Sequence, residues 1–356
     1  MIRKRKNRMI VINRIRNQCI LVMIVYIIVH EIHTTISICK FLDLYIICYS
    51  IIIIMNSSNK ITLTCIKELT YHNEPVYNLL LLHDGRLATC SNDHTIKVVS
   101  LKPYHCDIST KAHSARVTYI SQMGNGALLS CSEDKTVKLW SIGKSHLVQK
   151  KEMKPHNTCI YKVIQIKENI IATCSADLSV KLSDIDKCKE IYTFPKTQEY
   201  VKNIYYIKKR KLLVIPDYQL LRLYDIDSYE EKVKISFYGI INYMNSIYEI
   251  NDTFLVFGDY NIEDKGNLLY IYNMDTNQIE LTIVDTTMFS NKEWYGVFSF
   301  ITMSNILVCG CPSGGILALD PTSMITLHRE SAHSESVSAV VKINELTFAS
   351  TSKKAS

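Results

Sequence analysis

The stretch RLATCSNDHTIKVVSL (Arg86–Leu101) recurs twice with little change. The later copies are ALLSCSEDKTVKLWSI (Ala127–Ile142) and IIATCSADLSVKLSDI (Ile170–Ile185). The copies lie 41 and 43 residues apart, measured between their matching cysteines, Cys90, Cys131 and Cys174. Each copy holds two strand-like runs separated by a polar turn. A repeat of this length and pattern is typical of one blade of a β-propeller.

Fainter copies continue at a similar spacing. The cysteine position is filled in turn by Ile215, Phe257, Cys309 and Thr351, with one long step of 52 residues around Val284–Trp294. Each complete copy has an apolar first strand, a second strand that ends in a polar turn, an alternating third strand and a fourth strand. The pattern predicts an all-β fold, a seven-bladed β-propeller of four-stranded antiparallel blades. Such a ring leaves only short, protected strand edges.

The residues around the turns carry a resemblance to a known family. A histidine stands four positions before the first strand in four copies, and an aspartate follows the second strand in three copies: His72, His113, His156 and His333, and Asp93, Asp134 and Asp177. Six residues after the aspartate comes a tryptophan position, which holds Val99, Trp140 and Ser183 in the first three copies. This pattern resembles the WD-repeat (G-beta-like) β-propeller family, as a divergent member, from about Ile61 to the C-terminus.

The resemblance implies a structural role for these residues. In the family, the histidine bridges the turn aspartate and a strand hydroxyl, and the indole is the final partner. The three sets in this chain are His72, Thr89 and Asp93; His113, Ser130, Asp134 and Trp140; and His156, Thr173 and Asp177. A Ser–His–Asp catalytic triad, and with it a propeller hydrolase, is the remote alternative. Recurrence of the set, and the exchange of serine for threonine, favour architecture over catalysis.

Neither the composition nor any motif indicates a cofactor, a metal ion or a nucleic acid. Without residues 1–54 the chain has 33 basic and 32 acidic residues, so the broad positive charge that nucleic-acid binding needs is missing. Phosphate-loop, HExxH and GxSxG motifs are absent from the sequence. The repeated cysteines are too far apart to bridge one another, and no cysteine or histidine pairs have zinc spacing. They are expected to be core residues in a reducing compartment.

Residues 1–54 differ sharply from the rest of the chain. They begin with a basic stretch and contain two apolar runs, Cys19–Val29 and Leu44–Met55. Neither run forms a clean stretch of about 20 apolar residues, the length that spans a bilayer. Three interpretations stay open at this point: translation that starts at Met55, a signal-anchor or membrane-associated segment, and a cleaved secretory signal.

The expected organisation is an N-terminal extension, 1–54, followed by the propeller, 55–356. The closing strand is expected at 61–69, and the repeats at about 70–109, 110–153, 154–195, 196–236, 237–284, 285–328 and 329–356. The last copy lacks the third strand of the series, so the last blade is expected to be incomplete. Either the C-terminus is truncated or misread, or another segment fills the gap, for which Thr35–Leu44 is a candidate.

The leading functional hypothesis is a non-enzymatic scaffold or adaptor that binds other proteins, as a monomeric propeller within a complex in the cytoplasm or nucleus. The resemblance implies that partners bind the face built from the loops before first strands and the turns that hold the aspartates. Candidate contact residues there are Asn92, Arg116, Glu133 and Tyr161. The alternative is an endomembrane-tethered propeller that uses residues 1–54. The basic run Lys208–Lys211 is expected to be a solvated turn, with an acidic partner or a phosphoinositide as the alternative.

Overall fold

A computed structural model describes residues 48–55, 61–237, 246–260, 267–284, 299–303, 305–311 and 314–352. Two stretches for which the sequence predicts features lie outside these ranges. They are residues 1–47, which include Thr35–Leu44, and the long step beyond Val284. Within the described part of the chain, no helix is long and apolar enough to cross a membrane. The regular structure there consists of β-strands, numbered β1 to β28 in chain order.

Six blades are each built from four consecutive strands in antiparallel order. In blade one these are β3 (Val76–Leu81), β4 (Leu87–Ser91), β5 (Thr95–Leu101) and β6 (Tyr104–Lys111). In blade two they are β7 (Val117–Gln122), β8 (Leu128–Ser132), β9 (Val137–Ile142) and β10 (Leu147–Met153). In blade three they are β11 (Ile160–Lys167), β12 (Ile170–Ser175), β13 (Val180–Asp184) and β14 (Lys189–Thr193).

The later blades repeat this order. Blade four contains β15 (Tyr205–Ile207), β16 (Leu212–Asp217), β17 (Leu220–Asp225) and β18 (Glu231–Ser236). Blade five contains β19 (Ile247–Glu249), β20 (Phe254–Tyr260), β21 (Asn267–Asn273) and β22 (Gln278–Val284). Blade six contains β23 (Ser299–Met303), β24 (Ile306–Gly310), β25 (Gly315–Leu319) and β26 (Thr326–Ser331).

The first strands lie innermost and form a closed ring. β3, β7, β11, β15, β19 and β23 each contact the next, and β27 (Val337–Asn344) contacts both β23 and β3. Burial follows this arrangement outward. The second strand β8 is buried at every position, because each blade is covered on both faces by its neighbours, whereas the outer strand β14 is mostly exposed. The same covering explains why Cys90, Cys131 and Cys174 are buried free thiols.

A seventh four-stranded sheet is assembled from both ends of the chain. Its order is β2 (Ile61–Leu69), β1 (Cys48–Met55), β28 (Thr347–Ser352) and β27. β2, which spans the residues expected for the closing strand, forms its outer edge. The sequence predicts seven blades, of which the last is incomplete, and this prediction is wrong. Six blades are each formed by one continuous segment, and the remaining sheet is a composite whose four strands come from both ends of the chain.

The strand β1 fills the third-strand position in the register of the other blades. Ile51 pairs with Phe348, as Trp140 pairs with Leu128 in blade two. A one-residue bulge in the outer strand also recurs at the same place in every sheet, at Ile66, Asp107, Lys150, Ile191, Lys232, Glu280 and Leu327. The recurrence shows that β1 and β2 pair as third and fourth strands do in the complete blades.

The strand β1 covers Cys48–Met55 and therefore includes the last seven residues of the N-terminal extension expected at 1–54. The physical reason is the unpaired edge that β28 would otherwise present. A row of backbone N–H and C=O groups that is buried without hydrogen-bond partners lowers the stability of the fold. The isoleucine-rich run next to Met55 has a high β propensity and can pair with this edge. Smaller differences occur at the blade ends, where β6 and β26 extend two and three residues past the expected repeat limits.

We expect a chain that starts at Met55 to be much less stable than one that starts at Tyr45. The shorter chain loses β1 and leaves the facing edges of β2 and β28 unpaired, which should cost at least about 3 kcal/mol. Urea unfolding followed by circular dichroism measures the difference. Equal stability of the two truncated chains would show that β1 contributes nothing to ring closure.

Candidate functional site

The second blade holds a four-residue hydrogen-bond network. His113 comes from the loop before β7, Ser130 from β8, Asp134 from the β8–β9 turn and Trp140 from β9. Ser130 Oγ lies 2.7 Å from His113 Nε2 and 2.9 Å from the Trp140 indole nitrogen, and Asp134 Oδ2 lies 3.0 Å from His113 Nδ1. The network therefore links the first, second and third strands at one end of the blade.

The donors and acceptors of this network follow from its chemistry. The indole N–H of Trp140 can only donate, so Ser130 Oγ accepts from it. The Ser130 hydroxyl then donates to His113 Nε2, which leaves the Nδ1–H of a neutral imidazole to donate to Asp134. Burial lowers the pKa of His113 in spite of the nearby Asp134 carboxylate, in agreement with a neutral ring.

Each turn aspartate also folds its own turn. Asp134 Oδ1 accepts from the Thr136 backbone N–H at 3.0 Å and from the Thr136 hydroxyl at 2.5 Å. Between these residues Lys135 has a φ of 71°, which the tight turn requires. These bonds and the one from His113 hold the pKa of Asp134 well below its usual range, against the effect of burial. Thr136 and its equivalents, Thr95 and Ser179, are not among the residues predicted from the sequence, although the recurring Asp-x-Thr/Ser pattern marks them.

Blades one and three repeat the arrangement without the indole. His72 lies 2.8 Å from both Asp93 and Thr89. In blade three His156 lies 2.9 Å from Asp177 and 2.8 Å from Thr173. At the tryptophan position of blade three, Ser183 is fully buried and its hydroxyl has no hydrogen-bond partner within the described residues.

The hydroxyls of these sets lie inside the blades. Thr89, Ser130 and Thr173 are on second strands and are at most 3% exposed. His333 in the composite sheet lies 2.7 Å from Ser350, and its aspartate position, 354, lies outside the described residues. Within the described ranges, no group of His, Cys, Asp or Glu side chains is arranged to hold a metal ion.

Blade four has an arginine network in place of the histidine network, and this arginine network was not predicted from the sequence. Arg222 forms ion pairs with Asp217 and Glu231, both at 2.9 Å. Tyr224 occupies the tryptophan position on the third strand and donates its hydroxyl to Glu231 at 3.1 Å. The sequence feature that could have indicated this network is the aromatic residue at position 224, one residue before the end of the third strand.

The four candidate contact residues lie at one end of the ring, where three of them meet. We call the end formed by the loops before first strands and the turns after second strands the His–Asp face. There Arg116 forms an ion pair with Glu133, donates to the Tyr77 hydroxyl at 2.8 Å and lies 5.0 Å from the centre of the Tyr77 ring. Tyr161 is close enough for both charges to act on its pKa, which burial raises. Asn92 is in the turn after β4 on the same face, and its side-chain nitrogen lies 3.4 Å from Glu74.

The basic run Lys208–Lys211 lies at the opposite end, between β15 and β16. Lys209 pairs with Asp252, Arg210 pairs with Asp275, and Lys211 lies 2.8 Å from Asp227. Carboxylates of the same chain therefore already neutralise most of its charge, which agrees with a surface turn and leaves little charge for an anionic partner.

The comparison with family models supports the resemblance. The family model of the WD domain, G-beta repeat, matches residues 63–100 and 105–141. These matches and the propeller of four-stranded antiparallel blades are consistent with a member of the WD-repeat propeller family. Propellers of this family generally serve as protein-interaction scaffolds and are typically non-enzymatic. A search of the curated proteins found no match to this chain.

We expect two substitutions of Trp140 to distinguish the contribution of its hydrogen bond to stability from the contribution of its packing. Trp140→Phe loses the N–H bond to Ser130 and should cost about 1–2 kcal/mol of unfolding free energy. Trp140→Ala also opens a cavity in the core and should cost about 3–5 kcal/mol. Chemical denaturation measures both values, with Val148→Ala as the control, since Val148 is exposed on the outer strand of the same blade. Losses no larger than that of the control would contradict a structural role.

We expect His333 to make stability depend on pH. Burial lowers the pKa of His333 to about 3, below its unfolded value of about 6.5. As the pH falls from 6.5 toward 3, the unfolded chain binds the proton first, so stability is lost over that window. This group should contribute a slope of up to about 1.4 kcal/mol per pH unit.

The measurement is urea unfolding of the wild type and His333→Asn at pH 7, 6 and 5. The variant should have a smaller loss of stability between pH 6 and 5. His146→Asn is the control, because His146 is exposed. Identical slopes for wild type and His333→Asn would show that His333 titrates alike in the folded and unfolded states.

Proposed function

We propose that this chain is a non-catalytic interaction scaffold that binds partner proteins on its His–Asp face. The observation that carries the proposal is the Arg116 cluster, in which a partly exposed arginine lies on the Tyr77 ring and pairs with Glu133. Arginine and tyrosine are enriched among the residues that dominate binding energy at protein interfaces. Tyr161 and Tyr200, the latter 54% exposed, add aromatic surface nearby.

The rigidity of the turns favours this function. Glu133 lies directly between Ser132 and Asp134, and the hydrogen bonds of Asp134 hold that turn in one conformation. A contact surface that is already ordered loses little conformational entropy when a partner binds. A closed ring of this kind, acting as a monomer within a complex in the cytoplasm or nucleus, accommodates several partners at once.

Two other functions have less support. The burial of Ser130 and its equivalents disfavours a hydrolase. A membrane tether that uses the second apolar run conflicts with the pairing of Cys48–Met55 in the composite sheet. The nearly balanced charge of residues 55–356 disfavours nucleic acid as a partner.

We expect Arg116→Ala to weaken partner binding without loss of the fold. Loss of a central contact of this type costs about 2 kcal/mol or more in binding, which is about a 30-fold loss of affinity. Tagged wild type and Arg116→Ala are compared by quantitative affinity purification and mass spectrometry, and their melting temperatures by circular dichroism. Lys189→Ala, on the exposed outer strand β14, is the matched control.

The expected result is a set of proteins that the wild type and Lys189→Ala retain and Arg116→Ala loses. If Arg116→Ala keeps every partner at an unchanged melting temperature, the His–Asp face around Arg116 is not the binding surface.

A further inference from the structure

Three side chains from consecutive blades meet on the wall of the central channel. Lys162 is on β11, Tyr119 is on β7, and Asn203 lies just before β15. The Lys162 ammonium donates to Asn203 Oδ1 at 2.8 Å and lies 4.9 Å from the centre of the Tyr119 ring. Lys162 and Asn203 are 4% and 0% exposed. None of these residues was singled out by the sequence pattern, because the contacts join different copies.

The orientation of the Asn203 amide is set by its neighbour. An ammonium group can only donate hydrogen bonds, so the amide oxygen must face Lys162, and the amide nitrogen must point away from it. Asn203 Nδ2 is buried, and no acceptor within the described residues bonds to it. Buried amide donors are nearly always bonded in folded proteins. The unbonded N–H groups therefore indicate that a further acceptor belongs at this place.

The electrostatics of the site favour an acceptor with negative charge. Burial lowers the pKa of Lys162 to about 8, while the thiols of Cys174 and Cys131 act in the opposite direction. Lys162 therefore still carries its charge for most of the time at pH 7, in surroundings of low polarity. Tyr119 covers one side with the negative face of its ring. Tyr119 is partly exposed although it lies on an innermost strand.

We infer that Lys162 and Asn203 form a carboxylate-binding site on the wall of the central channel. The Lys162 ammonium and the Asn203 amide nitrogen lie within about 5 Å of each other, because both adjoin the same amide oxygen. Two donors at this separation can each bond one oxygen of a carboxylate. The single positive charge matches a carboxylate better than a doubly charged phosphate. The site lies inside the ring, and it does not rest on the function proposed for the His–Asp face.

The test measures the melting temperature of the full chain at pH 7 and constant ionic strength, while sodium methanesulfonate is exchanged for sodium acetate. We expect acetate to raise the melting temperature of the wild type by about 1–2 °C. Lys162→Met should lose this response. Lys202→Met, a partly buried lysine next to Asn203, should keep it and is the matched control. Equal responses of wild type and Lys162→Met, or no response in the wild type, would overturn the site.

A second variant keeps the proposal testable if Lys162→Met does not fold. Asn203→Asp supplies a carboxylate within the chain, so we expect it to melt at or above the wild-type temperature and to be insensitive to acetate. An undiminished acetate response in Asn203→Asp would contradict the site. An N-acetylated, C-amidated pentapeptide with one aspartate identifies the source of the carboxylate. A response to acetate alone indicates a small free carboxylate, and a response to both probes indicates an acidic side chain of a partner.

Discussion

The backbone pairing between β1 and β28 is the constraint on which the rest of the structure depends. Tyr49 through Ile52 lie opposite Ser350 through Thr347, and this ladder joins the two ends of the chain. Each blade is buried because a neighbour covers it on both sides, so the first and sixth blades need the composite sheet between them. The core cluster that contains Ile316, Val337 and Phe348 spans blade six and this sheet. Without the ladder, β1 and β2 would lose their pairing to β28, and the composite sheet would keep only the inner strands β27 and β28.

Neighbouring residues of a single turn have different roles: one belongs to the hydrogen-bond network and the next belongs to the proposed interaction surface. In blade two, Asp134 is committed to His113, Thr136 and the Ser114 backbone, while Glu133 beside it remains accessible and meets Arg116. The buried histidines are neutral, so they hold the loops in place without placing charge in the core. Where the histidine is missing, as in blade four, Arg222 connects the strands by pairing with the buried carboxylate of Asp217 and the partly exposed carboxylate of Glu231. Two different sets of polar contacts, histidine hydrogen bonds and arginine ion pairs, therefore stabilise blades of the same structure.

Much of the fold could be predicted from a few residues. The spacing of Cys90, Cys131 and Cys174 located the blades, because second strands are buried on both faces and select small apolar residues. The position of Cys48–Met55 could not be predicted, because a run of isoleucines has neither the alternation nor the turn aspartate that marks the other third strands. At the site, recurrence within each copy located the histidine networks. It could not locate Lys162 and Asn203, since their contact joins two copies and appears only when the ring closes.

The composite sheet has a consequence for the synthesis of the protein. The strand Cys48–Met55 leaves the ribosome long before its partner Thr347–Ser352, and at about 5–20 residues per second the delay is roughly 15–60 s. The six continuous blades can form all their strand pairs during this time. The hairpin of β1 and β2 can form as well, but the edge of β1 that faces β28 stays unpaired until the last residues emerge.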